Sequence, residues 1–255
     1  MARADYLDLL AGTNTRELPV AGHGRGAVTR LAAPNGKSLL IRQYRRGGVL
    51  RYINKEKYLG PRRPLDEMRI CREAAARGVP VAEVVGAIVE ARGPFRLCSL
   101  VTEEIEDTID LGEYICWLPA APPREILAEK RNIIEATARA VRKMHDAGLY
   151  HADLQAKNIL VRRTTKGVEV FFIDLDKSVI KEKLPERLRA RNLRRLNRSI
   201  IKIQSALPPI DDADRRRFLK AYRAGDRIFG DVASPLLRSC RVQVALHRLS
   251  WRIFK

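Results

Sequence analysis

The chain has 255 residues, 45% of them hydrophobic and 31% charged, which is enough apolar content for a buried core and too much for a disordered chain. Its 49 Lys/Arg outweigh 30 Asp/Glu, and the formal net charge of +19 calls for an anionic partner, be it nucleic acid, phospholipid or a phosphorylated glycan. Four cysteines, Cys71, Cys98, Cys116 and Cys240, stand apart with no C-x-x-C pair or ligand-spaced histidine, so reduced thiols are expected and a zinc site is not.

The first residues carry Asp5 and Asp8 without a long apolar run, and no stretch reaches the roughly 18 apolar residues that cross a bilayer. Neither a secretory leader nor a spanning helix is expected. Thr15 to Val20 reads as a strand entering Ala21-Gly22-His23-Gly24-Arg25-Gly26, where alternate glycines let backbone N–H groups approach a phosphate. A tight turn is the plainer reading of that segment. Val28 to Ala33, Pro34-Asn35-Gly36 and Ser38 to Arg42 predict a hairpin, because Asn-Gly between apolar runs favours the tight turn. Arg42 closes the third strand. From Arg42 to Arg72 ten Lys/Arg face three acids, an excess that points to an anionic ligand, with Arg45 and Arg46 at its centre. Pro64 opens a helix to about Arg77, which Gly78 and Pro80 close. Glu67 is the candidate partner for Arg42, with Glu73 as the competitor. Val84 to Glu90 and Phe95 to Thr102 complete five strands, and the chain then passes Glu103-Glu104-Ile105.

Ile126, Leu127, Ile133, Ile134, Thr137, Val141 and Met144 recur at helical spacing, and Gly148 ends that helix. Tyr150-His151-Ala152-Asp153-Leu154-Gln155-Ala156-Lys157-Asn158 follows, then an apolar strand ending in Asp174. This H-x-D-L-x-x-x-N pattern is the one kinases use to hold Mg·ATP against a hydroxyl. Asp153 would accept the hydroxyl proton, and Asn158 and Asp174 would supply hard oxygen ligands to Mg²⁺. Asp174 lies 21 residues after Asp153, and a hairpin of Ile159 to Arg163 and Val168 to Ile173 around Lys166-Gly167 would return it beside Asn158. His151 is expected to brace the loop rather than to titrate in catalysis.

Leu184-Pro185-Glu186 starts another helix, with Leu193, Leu196, Ile200 and Ile203 on one face and Arg191, Arg195, Arg198 and Lys202 nearly opposite. From Lys177 onward 21 Lys/Arg face seven Asp/Glu, so +14 of the +19 lies there. That asymmetry suggests a substrate or membrane surface. The segment Pro235 to Phe254 interleaves apolar and basic residues and suits either interfacial docking or ordinary packing.

These motifs resemble the protein-kinase-like superfamily. Tyr44-Arg45-Arg46-Gly47-Gly48, the His151 to Leu160 stretch, Ile173-Asp174-Leu175-Asp176-Lys177-Ser178 and Arg191-Asn192-Leu193-Arg194-Arg195-Leu196-Asn197-Arg198-Ser199-Ile200 resemble the bacterial lipopolysaccharide core kinases, the Kdo and heptose kinase group, over most of residues 20 to 205. The resemblance implies an α+β, two-lobed fold: an N-lobe over 1–103 with a five-stranded antiparallel sheet and one helix, and a mainly helical C-lobe over 104–255. It implies ATP and Mg²⁺ as cofactors and a Kdo or heptose hydroxyl of the inner core as acceptor. Gly22, Gly24 and Gly26 would cradle phosphate, Arg42 with Glu67 would stand for the usual strand lysine and helix glutamate, and Glu103 and Ile105 would meet adenine through their main chain. Arg45, Arg46, Asp176, Arg191, Arg195 and Arg198 are the candidate substrate contacts. The expected partners are the core glycolipid and an anionic membrane surface, met peripherally at the cytoplasmic face of the inner membrane. No nucleic acid is expected, and the oligomeric state is open.

Gln155, where serine/threonine kinases usually carry lysine, and Asp176, in place of the glycine of D-F-G, argue against a protein substrate. An aminoglycoside- or choline-type kinase is the second reading, but it predicts an acidic pocket. A basic pseudokinase or scaffold is the third, and intact Asp153, Asn158 and Asp174 oppose it.

Overall fold

The computed structural model describes residues 18–19, 28–33, 36–44, 62–93, 95–119, 121–203 and 210–223. The chain divides into two compact units, one within Met1–Arg72 and Ala82–Glu106, the other within Glu73–Val81 and Asp107–Lys255.

Unit 1 holds one antiparallel sheet of five strands: β1 (Leu18–Pro19), β2 (Val28–Ala32), β3 (Ser38–Gln43), β4 (Val84–Arg92) and β5 (Phe95–Glu103), in the order β1-β2-β3-β5-β4. The predicted hairpin sets Leu31 opposite Leu39 and Val28 opposite Arg42. Leu31, Ala33, Leu39 and Val101 form a small core flanked by Ile41, Val85 and Ile88. The period-2 alternation that buries Leu39 leaves Arg42, three residues on, at the end of the strand and half-buried. Helix α1 (Arg62–Ala76) begins in unit 1 with Pro64 in its first turn, where a missing N–H costs nothing. Its last turn belongs to unit 2, and it ends as the sequence predicts, with the Gly78 N–H donating to Ala75 and the Val79 N–H to Ala74.

Unit 2 is mainly helical. β6 (Thr108–Asp110) leads into α2 (Leu111–Trp117), whose first turn is capped by Asp110 accepting from the Glu113 N–H at 2.9 Å. Helix α3 (Arg124–Asp146) buries Ile133, Thr137, Val141 and Met144 of the periodic set, with Ala136 and Ala138 beside them, and leaves Ile126, Leu127 and Ile134 half-buried. Beyond it β7 (Leu149–Tyr150) pairs with β10 (Val179–Ile180), and β8 (Ile159–Thr164) and β9 (Gly167–Phe172) form the expected hairpin in the order β6-β8-β9. Helices α4 (Glu186–Ile203) and α5 (Asp212–Arg223) follow, α5 packing on α3. The buried Lys130–Asp214 pair, 2.7 Å apart, ties those two helices.

Gly148 makes the turn from α3 into β7. Its φ is +84°, and a Cβ there would lie 1.8 Å from the Lys181 carbonyl oxygen, so only glycine fits. The Lys181 N–H in turn donates to the Gly148 carbonyl at 3.0 Å, extending the β7–β10 pairing. Among the described residues no helix is long and apolar enough to cross a membrane. Cys71 and Cys98 are buried, whereas Cys116 is exposed.

Candidate active site

The loop from His151 to Asn158 is held from three directions. His151 is fully buried; its Nδ1 accepts the Asp153 N–H at 3.1 Å and its Nε2–H donates to the Ile173 carbonyl at 3.1 Å. That arrangement needs the neutral ring, and burial pulls its pKa down to about 4. His151 therefore braces the loop, joining Asp153 to the strand end that carries Asp174.

Helix α4 grips the same loop with one face. The Asn192 amide donates to the His151 carbonyl at 2.7 Å and accepts its N–H at 3.2 Å; Arg195 donates to the Ala152 carbonyl and to Asp153 Oδ1, both at 2.6 Å; and Ser199 Oγ accepts the Ala156 N–H at 2.9 Å. Ser178 completes the set by accepting the Ala152 N–H at 3.1 Å. At about 100° per residue, positions 192, 195 and 199 fall within about 60° of one another, so a single helix face meets successive loop residues.

Behind the loop lies a second buried layer. His145 donates from Nε2 to Asn192 Oδ1 at 3.2 Å and accepts the Tyr222 hydroxyl proton at Nδ1, 2.7 Å away. Burial lowers the His145 pKa to about 3 and raises that of Tyr222 to about 12, so both stay neutral. Arg189 spans the end of α3, donating to Asp146 at 2.7 Å and to the His145 and Leu184 carbonyls at 3.3 Å. The two arginines beside Asp146, Arg142 and Arg189, hold its carboxyl below the usual range against the opposing pull of burial.

Asp153 itself is half-buried. Its Oδ1 takes two donors, Arg195 and the Gln155 amide, each at 2.6 Å, while among the described residues no donor reaches Oδ2. The hairpin register sets Ile159 opposite Phe172, and the Ile173 N–H donates to the Asn158 carbonyl at 3.1 Å, which brings Asp174 beside Asn158 as expected. Buried Asn158 spends its amide nitrogen on the Asp153 carbonyl at 2.8 Å, keeping the amide oxygen for another partner. Asp174 sits at φ +61°, a left-handed conformation that aspartate tolerates better than most side chains. Asp176 is half-buried in the turn that follows.

In unit 1, Arg42 Nη2 lies 2.5 Å from Glu67 Oε1, and the Tyr44 hydroxyl donates to Glu67 Oε2. Glu67 is buried, and Arg42 and Arg63 each place a guanidinium 5.1 Å from the Tyr44 ring centre. Glu73 pairs instead with Arg77 at 2.8 Å on the exposed side of its helix. The competition left open by the sequence falls to Glu67. Glu103 is different: its N–H donates to the Glu83 carbonyl and its carboxylate pairs with Lys37, so that N–H is not available to an adenine ring. Ile105 is half-buried.

Sequence alone places Arg195 with Arg191 and Arg198 on an exposed stripe. Arg191 and Arg198 are exposed, but Arg195 turns inward to Asp153. Asn192, Ser199 and Tyr44 are neighbours of these residues that the sequence leaves without a role, and Gln155, read there only as an argument against a protein substrate, joins them. The signal for the first two was the polar residue recurring at i, i+3 and i+7 beside the apolar face, legible only once the loop is docked there. Gly22, Gly24, Gly26, Arg45, Arg46 and the segment 235–254 lie outside the described residues.

A five-stranded antiparallel sheet with an Arg–Glu pair, and a helical unit presenting an H-x-D loop, define a protein-kinase-like fold. Among solved structures, WaaP in complex with acyl carrier protein shares it with a TM-score of 0.59 at 22% identity, over 92% of this chain and 91% of WaaP. The 3-deoxy-D-manno-octulosonic acid kinase of Xanthomonas axonopodis pv. citri is 34% identical over 213 residues, 81% of this chain and 79% of the relative. The same-named protein of Stenotrophomonas maltophilia is 33% identical over 210 residues, 80% and 78% of the two chains. The chain matches the lipopolysaccharide kinase (Kdo/WaaP) family over residues 16–222 and belongs to it.

Proposed function

We propose that the chain is an ATP-dependent kinase that phosphorylates a hydroxyl of 3-deoxy-D-manno-octulosonic acid (Kdo) in the lipopolysaccharide core. The observation that carries this reading is Asp153, a carboxylate pinned through one oxygen by Arg195 and Gln155 and left with the other oxygen to accept a proton. The acceptor oxygen attacks the γ-phosphorus as its proton passes to Asp153 Oδ2. The bond from γ-phosphorus to the bridging oxygen breaks, and its electron pair leaves with ADP. The curated relatives, named for Kdo, favour Kdo over heptose.

The donor set suits Mg²⁺: Asn158 and Asp174 offer hard oxygens, and among the described residues no three His, Cys, Asp or Glu side chains converge, so such an ion would complete its shell from phosphates and water. Bound there, it would offset charge on the transferred phosphoryl group. Residues 1–103 would act as the nucleotide lid, with Gly22, Gly24, Gly26 and Arg42 toward the phosphates and the Ile105 backbone toward adenine. Residues 104–255 would carry the chemistry. Arg45, Arg46, Arg191 and Arg198 would face the anionic glycolipid, Asp176 its hydroxyls, and the exposed basic side of α4 the anionic headgroups at the cytoplasmic face of the inner membrane.

The test is transfer of labelled γ-phosphate from ATP to a Kdo-bearing lipid A acceptor. Transfer that depends on Mg²⁺ and disappears in Asp153→Asn is expected; undiminished transfer by that variant contradicts the mechanism.

A further inference from the structure

We propose that Arg195 is a positioning residue that selects the carboxylate oxygen of Asp153 at which the hydroxyl proton arrives, and not a contact for the substrate. This rests on the kinase reading above. One nitrogen of Arg195, Nη1, donates to both the Ala152 carbonyl and Asp153 Oδ1 at 2.6 Å, so the guanidinium is fixed to the loop before it reaches the carboxylate. The Gln155 amide meets the same oxygen at 2.6 Å. With Oδ1 doubly engaged, the carboxylate cannot rotate without losing a charge-assisted bond, and the proton is left Oδ2.

Arg195 holds the Ala152 carbonyl and shares the anchoring of the loop with three other side chains. Asn192 already satisfies both backbone groups of His151, Ser178 holds the Ala152 N–H, and Ser199 holds the Ala156 N–H. The same helix also shows what an arginine that only ties elements together looks like: Arg189 has a side chain 10% exposed and engages Asp146 and two carbonyls, whereas Arg195 and Asp153 remain 33% and 36% exposed and meet in an accessible place. Among the described residues Arg195 is the cation within ion-pair distance of Asp153. The loop itself provides none, because position 155, which reaches the same oxygen, is a neutral glutamine. The positive charge at this carboxylate is therefore delivered from a helix 42 residues away in sequence.

The experiment compares wild type, Arg195→Gln, Arg195→Lys and the double variant Arg195→Gln/Gln155→Lys. It measures phosphotransfer to a Kdo-bearing lipid A acceptor, ATP hydrolysis without acceptor, and the thermal midpoint. Arg195→Gln is expected to lower kcat about 100-fold in both reactions, the scale of a misplaced catalytic group, with KM for ATP and acceptor changed less than about threefold. Arg195→Lys should fall between. Lysine at position 155 should restore at least about tenfold of the lost kcat, which a merely destabilised fold would not allow. Wild-type kcat in Arg195→Gln, a raised KM with kcat intact, or no recovery in the double variant would each overturn the inference while leaving the kinase reading standing. A wild-type chain inactive in both reactions contradicts the kinase reading and the inference with it.

Discussion

Asn192 bonds both backbone groups of His151, accepting the N–H at 3.2 Å and donating to the carbonyl at 2.7 Å. One side chain thus fixes the residue that introduces the His151–Asn158 loop, and because Asn192 also accepts from His145, it links the loop to α3 and α5. Asn192→Ala would leave three buried polar groups without partners. At about 1–3 kcal/mol for an unsatisfied group, partly relieved by relaxation, a loss of about 3 kcal/mol in urea unfolding is expected, with reduced kcat in the folded fraction.

Gly148→Ala must force a Cβ to within 1.8 Å of the Lys181 carbonyl at a positive φ. The strain and the lost β7–β10 bond predict destabilisation of about 3 kcal/mol, read as a lowered denaturation midpoint. Gly36, also at positive φ but with open space around its Cβ position, should lose only about 1 kcal/mol on the same change.

The Arg42–Glu67–Tyr44 group predicts a contrast between two glutamates on one helix. Glu67→Gln weakens a buried partner held by two donors and should lower kcat/KM for ATP about tenfold or more. Glu73→Gln touches an exposed pair and should leave stability within about 0.5 kcal/mol and kinetics unchanged. Equal effects from both would contradict the pairing. Arg42→Lys should also reduce ATP affinity, since an ammonium cannot present the guanidinium fork to the same carboxylate.

Two buried histidines set the acid side of the stability profile. Their folded pKa values, about 4 for His151 and about 3 for His145, lie below the ordinary value of 6.5, so the unfolded chain binds protons first as pH falls. Their contribution is complete above pH 6.5 and is lost as the pH drops through 6.5 toward 4, at about 1.4 kcal/mol per pH unit for each ring. Urea midpoints measured across that range should fall steeply, and a flat profile would contradict the neutral, buried rings.

Much of this architecture is legible before any coordinates. The Asn-Gly hairpin, the helix from Pro64 to Gly78 and the β8–β9 return of Asp174 to Asn158 all follow from turn chemistry and periodicity, because each depends on neighbours in sequence. The role of α4 does not. At about 100° per residue Arg195 lies in the basic stripe, at its edge toward the apolar face, and nothing local distinguishes a solvated arginine from one that turns in to a loop. Its partner, Asp153, lies 42 residues earlier, so the distinction is a property of tertiary docking. Glu103 is a similar case, since whether its N–H is already engaged depends on the Glu83 carbonyl opposite it.

The most direct test of the whole account is mass spectrometry of Kdo-bearing lipid A after incubation with the enzyme, ATP and Mg²⁺. One added phosphate that fragmentation locates on Kdo, absent with Asp153→Asn, is the predicted result. No phosphate on any core sugar, or phosphate that appears equally with Asp153→Asn, would contradict it.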